Sequence, residues 1–187
     1  MDQPASDRAS YGASYGASYG ADYARDRAEI EDLMARYLFA LDYNDIDTFM
    51  DMFTEDAEFE FAPGTVSGKD AIRAAVTGFK QRIGEIYVDD EGRPAVLRHV
   101  LAHAAIRVEG DRAWTRAMWF EMADDGPLAP SGRRSPKMGT FGIYADDLRK
   151  VGGRWLFAKR RILNEFLPGR ESGPENPVAQ MDRAARL

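Results

Sequence analysis

The stretch from Asp26 to Phe53 constrains the fold of this chain more than any other. Ile30, Leu33, Met34, Tyr37, Leu38 and Leu41 recur at helical spacing and form one apolar stripe. Asp42 follows four residues after Leu38, so it prolongs the edge of that stripe instead of joining the polar face. At the end of a helix it also faces the negative pole of the dipole, which disfavours its charge. On this stretch alone two readings stand side by side: a turn aspartate in ALDYND, or a buried carboxylate available for chemistry.

A chain of 187 residues suits one ordinary domain with tails, and 44% hydrophobic with 30% charged residues reads as soluble and globular. No apolar run approaches the ~20 residues of a membrane span, and the N-terminus has no apolar signal core, so the expected compartment is the cytoplasm. A net charge of −6 without a Lys/Arg face argues against a nucleic-acid partner. The absence of cysteine excludes disulfides, thiol nucleophiles and thiolate metal sites. Imidazole chemistry must use His99 or His103, the only histidines.

Residues 1–25 repeat a four-residue unit, with Tyr11, Tyr15, Tyr19 and Tyr23 in step. Glycine in each early unit opposes a helix, so this segment reads as a disordered arm, or as a tyrosine arm that packs over a neighbour. Asp45 is placed to cap a short second helix carrying Phe49, Met50 and Phe53. Glu58 to Phe61 alternates as a half-buried strand. Ser67 with Asp70 resembles a capping box, opening a helix with Ile72, Val76, Phe79 and Ile83 on one face and Gly84 at its end. From Arg98 the period becomes two. Strands are expected over 98–108, 113–123, 137–150 and 155–166, with a long loop at 124–136 and a Gly152-Gly153 hairpin. Residues 26–166 are then the folded domain, and 167–187 a Pro/Gly-containing tail with a short amphipathic turn. The order implies an α+β fold with helices on one face of a curved, mostly antiparallel sheet.

Alternation along RHVLAHAAIRV puts residues 99, 101, 103, 105 and 107 on one face, so His99 and His103 are expected to point the same way. Two pleats apart they are about 13 Å from each other, too far to share one metal ion. With no glycine-rich phosphate loop either, neither a metal nor a cofactor is expected. Alone, His99 reads equally as a satisfied core histidine.

The run IEDLMARYLFALDYNDIDTFMDMFTEDAEFEF, followed by SGKDAI, RHVLAHAAIRVEGDRAWTRAMWF and GGRWLFAKRRI, resembles the SnoaL-like branch of the nuclear transport factor 2-like superfamily. The resemblance spans about residues 26–166. It implies a cone-like α+β barrel, three N-terminal helices against a strongly curved sheet, enclosing one deep apolar pocket. Similar members include scytalone dehydratase, bile acid 7α-dehydratase, hexachlorocyclohexane dehydrochlorinase and polyketide cyclases. In the dehydratase and dehydrochlorinase members an aspartate ending the first helix orients a histidine base on a strand. Asp42 and His99 fall on those positions. Tyr37 matches a pocket tyrosine of the bile-acid dehydratase, and His103 stands where relatives commonly carry asparagine.

The implied activity is that of a cofactor-independent lyase. A carboxylate fixes the imidazole tautomer and stabilises the imidazolium while the other nitrogen takes a proton. Elimination of water or halide, or retro-aldol C–C cleavage, would follow, with Tyr37 polarising a carbonyl. Arg160 and Arg161 alternate, so only one faces inward to hold an oxyanion, and Arg161 is the preferred one. His103, Trp119, Phe120, Tyr144 and Phe59 complete the expected binding set, and the number of rings favours an apolar, ring-bearing substrate. A non-catalytic module, such as the small subunit of a ring-hydroxylating dioxygenase, is one alternative. An isomerase, cyclase or epoxide hydrolase of the same fold is another. Sheets of this fold carry a self-associating outer face, so a homodimer or homotrimer is expected.

Overall fold

The apolar stripe forms α1 (Ala21–Asp42), whose buried face carries Ile30, Leu33, Met34, Tyr37 and Leu38. The computed structural model describes residues 21–184. Tyr11, Tyr15 and Tyr19 of the expected arm lie outside the described residues. Residues 21–25, assigned to the arm from the sequence, are helical and open α1. The helix ends sharply because Asn44 adopts φ 60, a left-handed conformation that a short polar side chain tolerates. Asp45 then caps α2 (Ile46–Met50), accepting from the Thr48 N–H at 3.1 Å.

A hairpin of β1 (Phe53–Phe61) and β2 (Gly64–Ser67) precedes α3 (Lys69–Ile86). The expected capping box is not made: Ser67 belongs to β2, and the N-cap is Gly68 at φ 83, its N–H on the Ala57 carbonyl at 2.8 Å. Glycine is the residue that takes this backbone without strain. Gly84 does not close α3, which continues to Ile86. Four strands follow: β3 (Leu97–Glu109), β4 (Arg112–Ala123), β5 (Lys137–Val151) and β6 (Arg154–Asn164). The tail adds α4 (Pro177–Ala184), which buries Met181.

The six strands run in the order β2-β1-β6-β5-β4-β3, antiparallel except for the parallel β1–β6 pair. The sheet is curved but not closed, with β2 and β3 as its edges, so the expected barrel is an open one. α1 packs against β3 and β6, and α3 against β1 and β2. Between the layers lies an aromatic core built on Tyr37, Phe49, Phe53, Phe59, Tyr144 and Phe157. Among the described residues no helix is long and apolar enough to cross a membrane.

Two register shifts decide which side chains reach that interior. One lies in β3 between Leu101 and His103, the other where β6 passes from Phe157 to Lys159. Each inserts a residue into its strand, bends it, and reverses the in–out parity of everything beyond.

Candidate active site

α1 crosses β3 so that its last residue meets the start of that strand. Asp42 Oδ1 lies 2.6 Å from His99 Nδ1, and Oδ2 accepts from the His99 backbone N–H at 2.8 Å. Both carboxylate oxygens therefore grip one residue. An ionised carboxylate only accepts, so Nδ1 carries the hydrogen and Nε2 is the nitrogen left for chemistry. The negative pole of α1 is offset locally. Lys80 Nζ donates to the Leu41 carbonyl, and Arg98 Nη1 donates to the Asp42 carbonyl at 3.4 Å while stacking 4.4 Å over the Tyr43 ring.

His99 Nε2 lies 3.3 Å from Glu121 Oε2, and the other oxygen of Glu121 accepts from the Tyr87 hydroxyl at 2.8 Å. Four groups from four segments thus form one line: Asp42, His99, Glu121, Tyr87. Burial opposes the imidazolium, but hydrogen bonds to Asp42 and Glu121 outweigh it and hold the His99 pKa up at about 8. Burial and the Glu121 carboxylate together push the Tyr87 phenol well above its usual range.

Deeper in, Arg160 is fully buried. It donates to both oxygens of Asp146, at 2.9 and 3.0 Å, and Thr115 Oγ1 adds a third bond to that carboxylate at 2.8 Å. The guanidinium lies 3.9 Å from the Tyr37 ring centre and 4.2 Å from that of Tyr144, which stacks on Trp119 at 5.2 Å. Trp119 in turn lies 5.8 Å from the His99 ring. Tyr37 OH, Trp119 Nε1 and Arg160 Nη1 are buried without a well-formed hydrogen bond in the protein. Burial pushes the Tyr37 phenol up to about 12, so it is a donor at neutral pH.

The structure therefore brings Asp42, His99, Tyr37, Trp119, Tyr144 and Arg160 into one contiguous set. It does not bring in His103, Arg161, Phe120 or Phe59. The β3 bulge turns His103 outward: beyond it Ala104, Ile106 and Val108 take the inner face. The β6 bulge does the same between the two arginines. Trp155 and Phe157 point inward, and unbroken alternation would carry Arg161 in with them. The extra residue, Ala158, makes Arg160 the inner one, and Arg161 pairs with Glu60 at 2.9 Å on the exposed side. Phe120 faces away from Trp119 and pairs across strands with Val100 and Phe141. Phe59 is core, ringed by Phe49, Phe53 and Phe61.

Glu121 and Tyr87 were missed in the sequence. Glu121 had a signal, as the one acid in the inward row Ala113, Thr115, Ala117, Trp119, Glu121, Ala123. Tyr87 had none, because it sits in a loop where no period applies. Cavities of about 370 Å³ beside Tyr23, Asp111 and Lys150, and of about 120 Å³ between the β1–β2 hairpin and α3, are lined by other residues. Tyr37, Trp119, Tyr144 and Arg160 are buried in the interior beside His99, and the side chains of His99 and Glu121 stay 15% and 11% exposed.

Comparison with known proteins agrees with the fold. An uncharacterized protein of Mycobacterium tuberculosis is 27% identical over 135 residues, covering 72% of this chain and 82% of the relative. A solved NTF2-like protein with a cystatin-like fold from Novosphingobium aromaticivorans superposes with a TM-score of 0.59 at 25% identity, covering 75% of this chain and 82% of that one. A candidate scytalone dehydratase from the same organism superposes at 0.61 with 20% identity, covering 82% and 97%. Residues 22–161, from the first turn of α1 to the paired arginines of β6, match the SnoaL-like domain, and the chain belongs to that family.

Proposed function

We propose that this protein is a cofactor-independent lyase that acts on an apolar, ring-bearing small molecule, with His99 as general base. The observation that carries this reading is the double grip of Asp42 on His99, at 2.6 and 2.8 Å. It fixes the tautomer and the ring orientation, and it stabilises the imidazolium formed when Nε2 takes a proton. The buried donors of Tyr37, Trp119 and Arg160 supply the other half: an oxygen that gains charge as the proton leaves would find partners those groups now lack. Removal of a proton next to a carbonyl then expels a β-hydroxyl or halide. Removal of a hydroxyl proton instead cleaves the C–C bond of a β-hydroxycarbonyl. A scytalone dehydratase-like fold neighbour fits the first outcome, though its likeness shows the fold alone.

The test uses the aldol of benzaldehyde with acetone as probe. Dehydration yields benzalacetone and retro-aldol cleavage returns benzaldehyde, so one ultraviolet assay separates the two. Product formation by the protein, lost in folded His99→Ala, supports the reading. No turnover of this probe or of a panel of ring-bearing β-hydroxyketones and β-halides would leave a binding module as the better account.

A further inference from the structure

We propose that Glu121 is the second proton carrier of this site, exchanging a proton with His99 Nε2 through its Oε2, and that Tyr87 is the positioning residue that fixes it. This role rests on His99 acting as the base.

Glu121 is 8% exposed, and a carboxylate so buried needs a partner. Asp26 and Asp146, at least as buried, each hold a basic side chain, Lys150 and Arg160. Glu121 holds neither lysine nor arginine among the described residues; its partners are the imidazole at 3.3 Å and the phenol at 2.8 Å. The imidazole can release a proton, whereas the phenol, pushed well above its usual range, stays a donor. The sheet also makes room for the contact. A Cβ at residue 139 would fall 2.6 Å from Glu121 Oε1 and 3.0 Å from Tyr87 OH, so Gly139 is the position on β5 that lets these two groups meet. Tyr87 occupies Oε1, which leaves Oε2 toward the imidazole.

The chemistry of an elimination requires such a group. One proton must leave carbon and one must arrive on the departing oxygen. With His99 neutral and Glu121 protonated, Nε2 takes the C–H proton and that bond's electrons form the C=C bond. The C–O bond breaks with its pair on oxygen, which takes the proton of Glu121, and water leaves. Transfer of the new Nε2 proton to Oε2 then restores both groups. In retro-aldol cleavage the same pair takes the hydroxyl proton and returns one to the enolate carbon.

The decisive measurement is the pH dependence of turnover on the aldol probe. The ionisable groups facing the His99–Glu121 pair are Asp42 from α1 and Tyr87 after α3, with Asp125 acting on Tyr87 at longer range. A lone histidine base becomes more active as pH rises through about 8, whereas a pair that must hold one shared proton becomes less active there. The wild-type profile is expected to fall above that pH. Glu121→Gln is expected to lose about 10²–10³-fold in rate and to invert the profile, its residual activity rising with pH from a lower midpoint. Tyr87→Phe removes a donor to the carboxylate, so the pair holds its shared proton longer and the falling limb moves to higher pH with less than about tenfold loss. The His99 ring titration followed by NMR, which needs no substrate, should move to lower pH in Glu121→Gln. A wild-type profile that rises through pH 8, or a His99 titration indifferent to Glu121→Gln, overturns the role of Glu121 while leaving His99 as base. Full activity in folded His99→Ala overturns the lyase reading itself.

Discussion

At the N-terminal end of α1 the Asp26 carboxylate accepts from Lys150 Nζ at 2.5 Å and from the Trp155 indole at 3.1 Å. At the C-terminal end of the same helix Asp42 accepts from the imidazole and the backbone of His99 at 2.6 and 2.8 Å. Side-chain exposure is 8% and 6%, so burial does not distinguish the two carboxylates. The partners do. Lysine and indole act here as donors only, and the Asp26 cluster pins the helix to β5 and β6. Imidazole changes charge near neutrality, so the Asp42 cluster can move a proton. Two aspartates on one helix are thus read as strut or as machinery by the titratability of what they hold.

The largest expected effects fall at the Asp42 end and are kinetic. Asp42→Asn and His99→Ala should each lower turnover of the aldol probe by about 10²–10⁴-fold with circular dichroism unchanged, since an amide can select the wrong tautomer and no longer stabilises the cation. Asp26→Ala should do the opposite. Broken buried pairs cost about 3–5 kcal/mol, and because Lys150 keeps some solvent contact the lower end, about 3 kcal/mol, is expected here. Chemical denaturation would measure this loss, with turnover per folded molecule preserved. Equal kinetic loss in Asp26→Ala would erase the distinction between the two ends.

The next effect is smaller and separates the ends by pH. The His99 pKa is raised from 6.5 to about 8, so its contribution is complete below about pH 6.5 and is lost as pH rises through 8. That amounts to about 2 kcal/mol at most. Asp26 has the reverse sign. Burial raises its pKa, but the hydrogen bonds of Lys150 and Trp155 win and lower it below 3.8, so its contribution holds above that value and disappears in acid. Denaturant unfolding at pH 6 and pH 9 should show the alkaline loss in the wild type and not in His99→Gln. A flat profile over this interval would mean that the imidazole is not clasped.

How much of this was legible before folding follows from where the period holds. The stripe of α1 is unbroken, so Tyr37 and Asp42 came out on the correct face. β4 alternates without interruption from Ala113 to Ala123, so Trp119 could be placed, and the same parity sends Phe120 outward and brings Glu121 in. Parity failed where β3 and β6 each carry one extra residue. No composition signal marks Ala102 or Ala158 as bulged, yet the insertion in β6 exchanged Arg160 for Arg161 and the one in β3 expelled His103. The Tyr87–Glu121 contact was hidden for another reason: it joins a loop to a strand across 34 residues, and nothing local encodes it.

The smallest effect belongs to His103, the histidine without a carboxylate. It shares its strand with His99, and an unbroken β3 would have put both rings on the inner face. The bulge at Ala102 instead leaves His103 exposed, with no ion pair or side-chain hydrogen bond among the described residues. His103→Ala should therefore change stability by less than about 0.5 kcal/mol, the scale of an unpartnered surface substitution. Turnover of the aldol probe should stay within about twofold. The measurement bears on more than His103, because it asks whether the line from Asp42 to Glu121 is made by pairing or merely by proximity along β3. A loss in His103→Ala approaching that of His99→Ala would mean that β3 carries both rings inward in solution. The bulge would then be absent and the inner row 99, 101, 103 restored. Ala104 and Ile106 would leave the core in that register, a change that hydrogen exchange along β3 would detect.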